Sequence, residues 1–239
     1  RLRLSGELSA AVAPFFYPLA LSLAVALIAT AISVFGGVAV AALLARRRFA
    51  GRELVDAVLS LPLVLPPTVL GYYLLVLLGR HSPLGRLFEA LTGTPLTFTP
   101  TGAVVAAMVH ALPAIIKSSR AALEEVDPLL LRAAASLGAG ELRTLLLVSL
   151  PVCRRQILAA TMLAFTRSLG DFGVTLMVAG DIPGYTQTAA LAIYDAVQAG
   201  RERDALSLII ILSVISLAIL YAVNRLSASR PTPGGAVAD

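Results

Sequence analysis

Two charged residues stand inside an otherwise apolar stretch near position 170. Arg167 lies about ten residues into the apolar run 157–175, and Asp171 follows it one helical turn later on the same face. An unpaired guanidinium at membrane depth is costly, so the two side chains are predicted to neutralise each other. The pair is expected to face the interior of a helix bundle or a water-filled vestibule.

Two roles fit this pair. A guanidinium matches tetrahedral oxyanions, so Arg167, with Ser168 and Asp171 beside it, could help such an anion past an external gate. The favoured alternative is an ion pair that only holds the gate, because a channel residue that bound the anion tightly would trap it. Gly170 and Gly173 are small positions where a gate could bend or where helices could pack closely.

Catalytic and metal-binding groups are scarce. The chain has two histidines, His81 and His110, and one cysteine, Cys153. His110 has no second histidine or acidic neighbour at ligand spacing and is predicted to be a hydrogen-bonded packing residue. No pair of nucleophile and base can be nominated, and the sequence has no Gly-x-x-x-x-Gly-Lys-Ser/Thr loop for phosphate. We therefore expect no catalysis, metal site or bound cofactor in this chain.

The composition is that of a membrane protein. Hydrophobic residues make up 58% of the 239 residues and charged residues 14%, and the mean hydropathy is +0.87. The net charge of +5 comes from arginines that lie between apolar blocks, without the interleaved aromatic residues of nucleic-acid surfaces. Membrane topology explains this charge, and nucleic acid is not an expected partner.

The apolar blocks predict an all-α polytopic membrane domain over residues 1–229. With about 20 apolar residues for each crossing, five spans are expected at 14–44, 54–78, 101–122, 157–175 and 206–223. Pro62, Pro66 and Pro67 should kink the second span, which could line a pore or reflect the general frequency of proline in membrane helices. The stretch 171–200 would hold a sixth span, but an external loop with short or re-entrant helices is preferred. The tail 230–239 is predicted to be disordered.

The positive charges orient the domain. One side of the predicted topology has twelve lysines and arginines, in 46–52, 117–155 and 225–230, and the other has six, in 1–3, 80–86 and 201–203. Positive residues remain cytoplasmic, so the N-terminus is predicted outside and the C-terminus inside the cell.

The longest predicted cytoplasmic connection contains a helix, a turn and a helix over 127–151. Asp127 followed by Pro128 is typical of a helix start. A short helix of small residues and leucines should follow and end at Gly138 and Gly140. A second, amphipathic helix is expected from Glu141 to Pro151, where the next crossing begins.

This segment resembles the signature loop of the permeases of ATP-binding-cassette (ABC) importers. The family has Glu-Ala-Ala, then a glycine four positions after the last alanine, and a distal Ile-x-Leu-Pro. The matching residues here are Ala133, Ala134, Gly138 and the run 148–151, which reads Val-Ser-Leu-Pro, at the same spacing. Arg132 occupies the place of the glutamate, a reversal of charge in a segment that in the family inserts into a groove of the ATPase subunit.

Three further stretches narrow the resemblance to oxyanion permeases. Residues 61–67 (LPLVLPP), 164–173 (AFTRSLGDFG) and 182–188 (IPGYTQT) are similar to the corresponding stretches of molybdate permeases, with sulfate/thiosulfate permeases as close relatives. The resemblance implies the fold of a type I importer permease in the inner membrane. It also implies alternating-access import of an oxyanion, molybdate or tungstate, with sulfate or thiosulfate as the alternative.

The resemblance further implies partners and site residues. These are a second copy of the chain, two copies of a cytoplasmic ATPase that binds ATP and Mg, and an extracytoplasmic oxyanion-binding protein that docks on the loops near 80–100 and 181–200. The residues implied in ATPase coupling are Leu129, Arg132, Ala133, Ala134, Leu137, Gly138, Ala139 and Pro151. A secondary transporter driven by an ion gradient is a distant alternative, because internal repeats and acidic residues at the midplane are not seen.

Overall fold

A computed structural model describes the backbone of residues 2–46 and 49–228, and the side chains of 16–46, 49–222 and 225. No strand occurs in this part of the chain. The helices are α1 Leu2–Arg46, α2 Arg52–Val64, α3 Pro67–Leu78, α4 Pro83–Thr92, α5 Pro100–Glu124, α6 Pro128–Ser136, α7 Glu141–Thr144, α8 Leu150–Leu169, α9 Gly173–Ala179, α10 Ala189–Gln198 and α11 Glu202–Ala228. A π-helical segment, Leu145–Ser149, joins α7 to α8. The tail predicted to be disordered lies outside the described residues.

Four helical stretches of the described chain are long and apolar enough to cross a membrane. They are Phe16–Arg46, Pro100–Glu124, Glu141–Leu169 and Glu202–Ala222. The bent pair α2 and α3 supplies a fifth crossing if it is one span. The prediction of an all-α polytopic protein with about five spans is therefore confirmed.

The second span is broken. Helices α2 and α3 meet at an angle of 116°, and the break consists of Leu65 and Pro66, both in extended conformations. A residue before proline is pushed out of the helical region, and proline has no N–H to continue the helical ladder. Pro62 lies inside the last turn of α2 without ending it, so the break comes from the Pro66–Pro67 pair.

The predicted fourth span, 157–175, has the wrong boundaries. The crossing helix begins at Glu141 and ends at Leu169. After it, the chain forms two short helices, α9 of 7 residues and α10 of 10 residues, and neither is long enough for a crossing of about 20 residues. The stretch 171–200 therefore adds short helices, as expected, and not a sixth span.

The core is built from small residues around α5. Helix α5 packs against α1, α8 and α9, and alanine is the commonest residue at its buried positions. Four of these alanines, Ala103, Ala106, Ala107 and Ala111, have no exposed surface. In a bilayer, an apolar side chain gains little free energy by exchanging contact with lipid tails for contact with another helix. Helices therefore associate where their backbones can approach closely. The alanines of α5 allow that approach and fix which helices surround it.

Glycines allow a close approach between α3 and α9. A Cβ atom added at Gly71 would lie 2.7 Å from Cβ of Met177, and one added at Gly173 would lie 2.8 Å from Cβ of Pro67. Both distances are shorter than real Cβ contacts. The start of α9 is therefore held against the start of α3, directly after the proline break.

We expect Gly173→Ala to destabilise the protein, by about 1–3 kcal/mol, because the new methyl group overlaps the rigid Pro67 ring. Circular dichroism during thermal unfolding of the purified protein in detergent measures the effect. Gly36→Ala is the matched control, since a Cβ at this helical glycine of α1 has nothing within 4 Å. Equal midpoints for the two variants would contradict the proposed close packing.

Candidate functional site

The segment between α5 and α8 begins with a capped helix. The Oδ1 atom of Asp127 accepts a hydrogen bond from the backbone N–H of Leu129 at 2.8 Å, and Pro128 occupies the first turn of α6. The carboxylate accepts from one of the backbone N–H groups at the helix start that have no acceptor inside the helix. Proline fits this first turn, because an N–H at its position would have no helical acceptor. The predicted start of this helix is confirmed.

A tight turn ends α6. Gly138 has a φ of +78°, and its N–H donates to the carbonyl of Ala135 at 3.0 Å. The N–H of Ala139 donates to the carbonyl of Ala134, also at 3.0 Å. This is the pattern of a Schellman motif, in which a left-handed residue, usually glycine, closes the helix. The predicted helix, turn and helix are thus present, and the second helix begins at Glu141.

The second helix does not stop at Pro151. It continues through the π-helical segment into α8, and Leu150 N–H bonds to the carbonyl of Leu145, five residues earlier. A proline in a regular α-helix clashes with the carbonyl four residues before it. We attribute the continuation to the π-helical segment directly before Pro151, where the backbone hydrogen bonds span five residues instead of four. The predicted boundary between an amphipathic helix and a separate crossing is therefore wrong.

The tip of the segment presents apolar side chains to its surroundings. Leu129 is 65% exposed and Leu137 is 88% exposed, and Leu130 and Leu142 are also exposed. Arg132 and Ala133 are exposed as well, whereas Ala134 is buried and Ala139 half-buried. Exposed leucines at this density indicate an interaction surface.

Two residues of the predicted coupling set do not belong to this surface. Ala134 faces the body of the protein, and Pro151 lies in the first turn of α8, about 15 Å along the helix from Glu141. The remaining members lie on α6 or in the turn that follows it. We refer to Leu129, Leu130, Leu137 and Leu142 as the tip leucines.

An arginine from α1 anchors the segment. The guanidinium of Arg46 donates to the backbone carbonyl of Glu141 and to the hydroxyl of Ser149 at 3.2 Å. These bonds join the end of α1 to the start of α7 and to the π-helical segment, beside a cavity of about 530 Å³. Nothing in the sequence indicates this role. Arg46 is the first of three consecutive arginines, which enter the topology prediction only as positive charges.

An ion-pair network joins α2 to the same end of α5. Arg120 bonds to Asp56 at 3.0 Å and to Glu124 at 2.9 Å, and Arg52 bonds to Glu124 at 2.8 Å. The four side chains are partly exposed, so each single pair contributes little. Glu124 is shared by Arg52 and Arg120, and Arg120 extends the network to Asp56. This network was not predicted from the sequence.

The predicted pairing of Arg167 with Asp171 is wrong. The helix ends at Leu169, so Asp171 is not one turn further along the same face. Its Oδ2 atom instead accepts hydrogen bonds from Thr175, from the backbone N–H at 3.1 Å and from Oγ1 at 2.5 Å. Asp171 thereby caps the start of α9. Among the described residues, Arg167 forms no ion pair or hydrogen bond.

Arg167 and Asp171 nevertheless line one cavity. It has a volume of about 360 Å³, and its lining includes Thr68, His110 and Phe172. Ser168 does not line it; its side chain is 95% buried, and its hydroxyl has no hydrogen-bond partner in the described part of the chain. The expected hydrogen bond of His110 is also not seen, because its buried Nδ1 atom lacks a partner there.

The loop that follows α9 is fixed to α1. The hydroxyl of Tyr17 donates to the carbonyl of Tyr185 at 2.9 Å, and the N–H of Ala189 donates to the hydroxyl of Ser22 at 2.7 Å. Burial raises the pKa of the Asp181 carboxyl in this loop, against the opposing effect of a hydrogen bond from Gln187. An ordered loop therefore covers the end of the bundle opposite the tip leucines.

Comparison with known proteins decides the family. A profile described as "binding-protein-dependent transport system inner membrane component" matches residues 33–230. The chain belongs to this family. It is accordingly a multi-pass inner-membrane transport component, and the predicted resemblance to importer permeases is confirmed.

Curated relatives cover most of the chain. The molybdenum transport system permease protein ModB of Escherichia coli (strain K12) is 42% identical over 221 residues, which is 91% of this chain and 96% of that protein. A putative molybdenum transport system permease protein of Bacillus subtilis (strain 168) is 36% identical over 88% of this chain and 93% of its own length. The sulfate transport system permease protein CysT of Salmonella typhimurium (strain LT2) is 34% identical over 81% of this chain and 71% of that protein.

Solved structures show the same fold at low identity. An inward-facing structure of the methionine ABC transporter MetNI aligns with a TM-score of 0.70 at 18% identity, over 91% of this chain and 97% of that chain. An amino acid ABC transporter crystallised with histidines aligns with a TM-score of 0.63 at 19% identity, over 94% of this chain and 97% of that chain. The fold is thus that of ABC importer permeases.

We expect Gly138→Val to loosen the turn, because a side chain in the left-handed region costs roughly 1–2 kcal/mol. Hydrogen-exchange mass spectrometry of peptides spanning 128–141 should show faster exchange. Gly140→Val is the matched control, since Gly140 has a φ of −67° and no atom within 4 Å of an added Cβ. Unchanged exchange in Gly138→Val would contradict the role assigned to the turn.

Proposed function

We propose that this chain is the transmembrane subunit of an ABC importer that moves an oxyanion, molybdate or tungstate, across the inner membrane by alternating access. The observation that carries the proposal is the 42% identity to a molybdenum permease over 91% of the chain. Sulfate is the alternative substrate, supported by permeases at 34% identity. The local sequences around Arg167 and in the loop after α9 are among those that resemble oxyanion permeases.

The tip leucines are proposed as the docking surface for a cytoplasmic ABC ATPase. They lie on α6, at its end before Gly138 and on α7, and α6 is short enough to enter a groove. Arg132, at the place of the family's glutamate, is exposed beside them and would meet the ATPase with a positive charge. The ATPase copies would bind ATP and Mg, and this chain would bind no cofactor of its own.

A homodimer is proposed because the protomer leaves apolar helix faces uncovered. No residue of α2 is buried within the described protomer, and its exposed side chains include Leu54, Val58 and Leu61, spaced along one face. A single copy with about five spans also supplies only half of a typical importer pathway. A second copy would cover these faces, and lipid would cover the outer face of α11.

The proposed orientation has the N-terminus outside and the C-terminus in the cytoplasm. Arg46, Arg52 and Arg120 gather at the end of the bundle where the tip leucines lie. Positive charge of this kind favours the cytoplasmic side. The ordered loop after α9 then faces outward, where an extracytoplasmic oxyanion-binding protein would dock.

The substrate is tested with the complete transporter in proteoliposomes. We expect molybdate or tungstate, delivered by the cognate binding protein, to raise ATP hydrolysis and to be taken up, while sulfate has little effect. Stimulation by sulfate alone would support the alternative. Uptake driven by an ion gradient without ATP, or no response to any oxyanion, would contradict the proposal.

We expect Leu137→Asp to weaken assembly with the ATPase at least about tenfold, because docking would bury an unpaired carboxylate. Co-purification and binding measurements in detergent test this. Leu87→Asp is the matched control, because Leu87 is also exposed but lies on α4. Normal assembly of Leu137→Asp, or equal losses in both variants, would argue against docking at the tip leucines.

A further inference from the structure

We propose that the cavity lined by Thr68, His110, Arg167 and Asp171 is a weak binding site for a tetrahedral oxyanion on the translocation path. The proposal rests on the function proposed above and adds a site within the membrane domain. We call this cavity the membrane cavity. Its volume of about 360 Å³ falls in the range of about 300–1,000 Å³ typical of small-molecule sites.

The membrane cavity lies at the depth where polar groups are least expected. His110 is roughly 15 Å from the start of α5 along the helix axis, near the middle of that span. The break between α2 and α3 and the end of α8 lie at the same depth as His110. At this depth one span is broken, a second helix ends and α5 carries a polar side chain. Ionisable residues at membrane depth are costly and usually serve transport.

Arg167 is available to an anion. It forms no ion pair or hydrogen bond with any described residue, and it lines the cavity directly. The nearest acidic residue in the lining, Asp171, is committed elsewhere, because its Oδ2 atom accepts two hydrogen bonds from Thr175. A planar guanidinium presents several N–H donors in a geometry that suits tetrahedral oxyanions.

A helix start at the cavity favours an anion over a neutral solute. Helix α3 begins at the cavity edge with Pro67 and Thr68. The first turn of a 12-residue helix carries free N–H groups and the positive end of the helix dipole.

Asp171 makes the site weak, as conduction requires. Its carboxylate lies in the same lining as Arg167 and offsets part of the positive potential. A pathway site must attract the anion enough for entry and release it again. A cavity with one unpaired guanidinium and one engaged carboxylate meets both conditions.

The test measures the charge selectivity of the cavity directly. Thr68, which is exposed in the cavity lining, is replaced by cysteine in a Cys153→Ser background, in the transporter complex in lipid nanodiscs. The rates of modification by an anionic and a cationic methanethiosulfonate reagent are compared. We expect the anionic reagent to react about fivefold faster, and millimolar molybdate to slow the reaction.

Arg167→Gln should abolish both the preference and the protection, and Arg167→Lys should retain the preference, which separates loss of charge from loss of folding. Arg203→Gln, at an exposed arginine on α11, and Thr94→Cys, in the loop before α5, are the matched controls. Equal rates for the two reagents at Thr68→Cys, or a preference that survives Arg167→Gln, would overturn the proposal.

The same preparation separates this inference from the proposed function. If the complex transports no oxyanion but Thr68→Cys keeps an anion preference that depends on Arg167, the proposed function fails and the cavity stands. If molybdate transport is normal and the preference is missing, the cavity fails and the proposed function stands.

Discussion

Helix α5 brings four alanines without exposed surface, Ala103, Ala106, Ala107 and Ala111, against its neighbours. In a bilayer this contact matters more than in water, because burying an apolar side chain against another helix gains little over burying it in lipid. By packing against these alanines, α1, α8 and α9 bring their backbones close to the backbone of α5. This shared contact positions α8 and α9, and α9 in turn packs against α3, so the placement of the cavity between them depends on it.

The irregular backbone is concentrated where the protein itself can surround it. Pro67, directly after the break, Gly170, directly after the end of α8, and Asp171, which caps α9, line one cavity. Free N–H and C=O groups are tolerated at membrane depth only beside protein or a polar cavity. The same packing that excludes lipid from α5 therefore makes room for a polar interior.

Local signals made the segment between α5 and α8 predictable. Asp127, Pro128 and Gly138 act through the backbone within a few residues of themselves, so their residue types already indicate a helix start and a left-handed turn. The apolar runs likewise gave the number of spans. The pairing of Arg167 with Asp171 depended on the last residue of a helix, and a shift of a few residues moved Asp171 from that helix to the cap of the next one. Arg46 bonds to residues distant in sequence, and His110 shares a cavity lining with such residues; no periodicity reveals either.

The uninterrupted helical stretch from Glu141 to Leu169 has a mechanical consequence. Its 29 residues extend over about 44 Å, with the tip leucines at one end and Arg167 at the other. A rod of this length acts as a lever, and a tilt of about 10° around the anchor that Arg46 provides near Glu141 moves the far end by about 8 Å. A rigid tilt of this helix therefore displaces its end at the membrane cavity by more than the length of a hydrogen bond, without any change inside the helix.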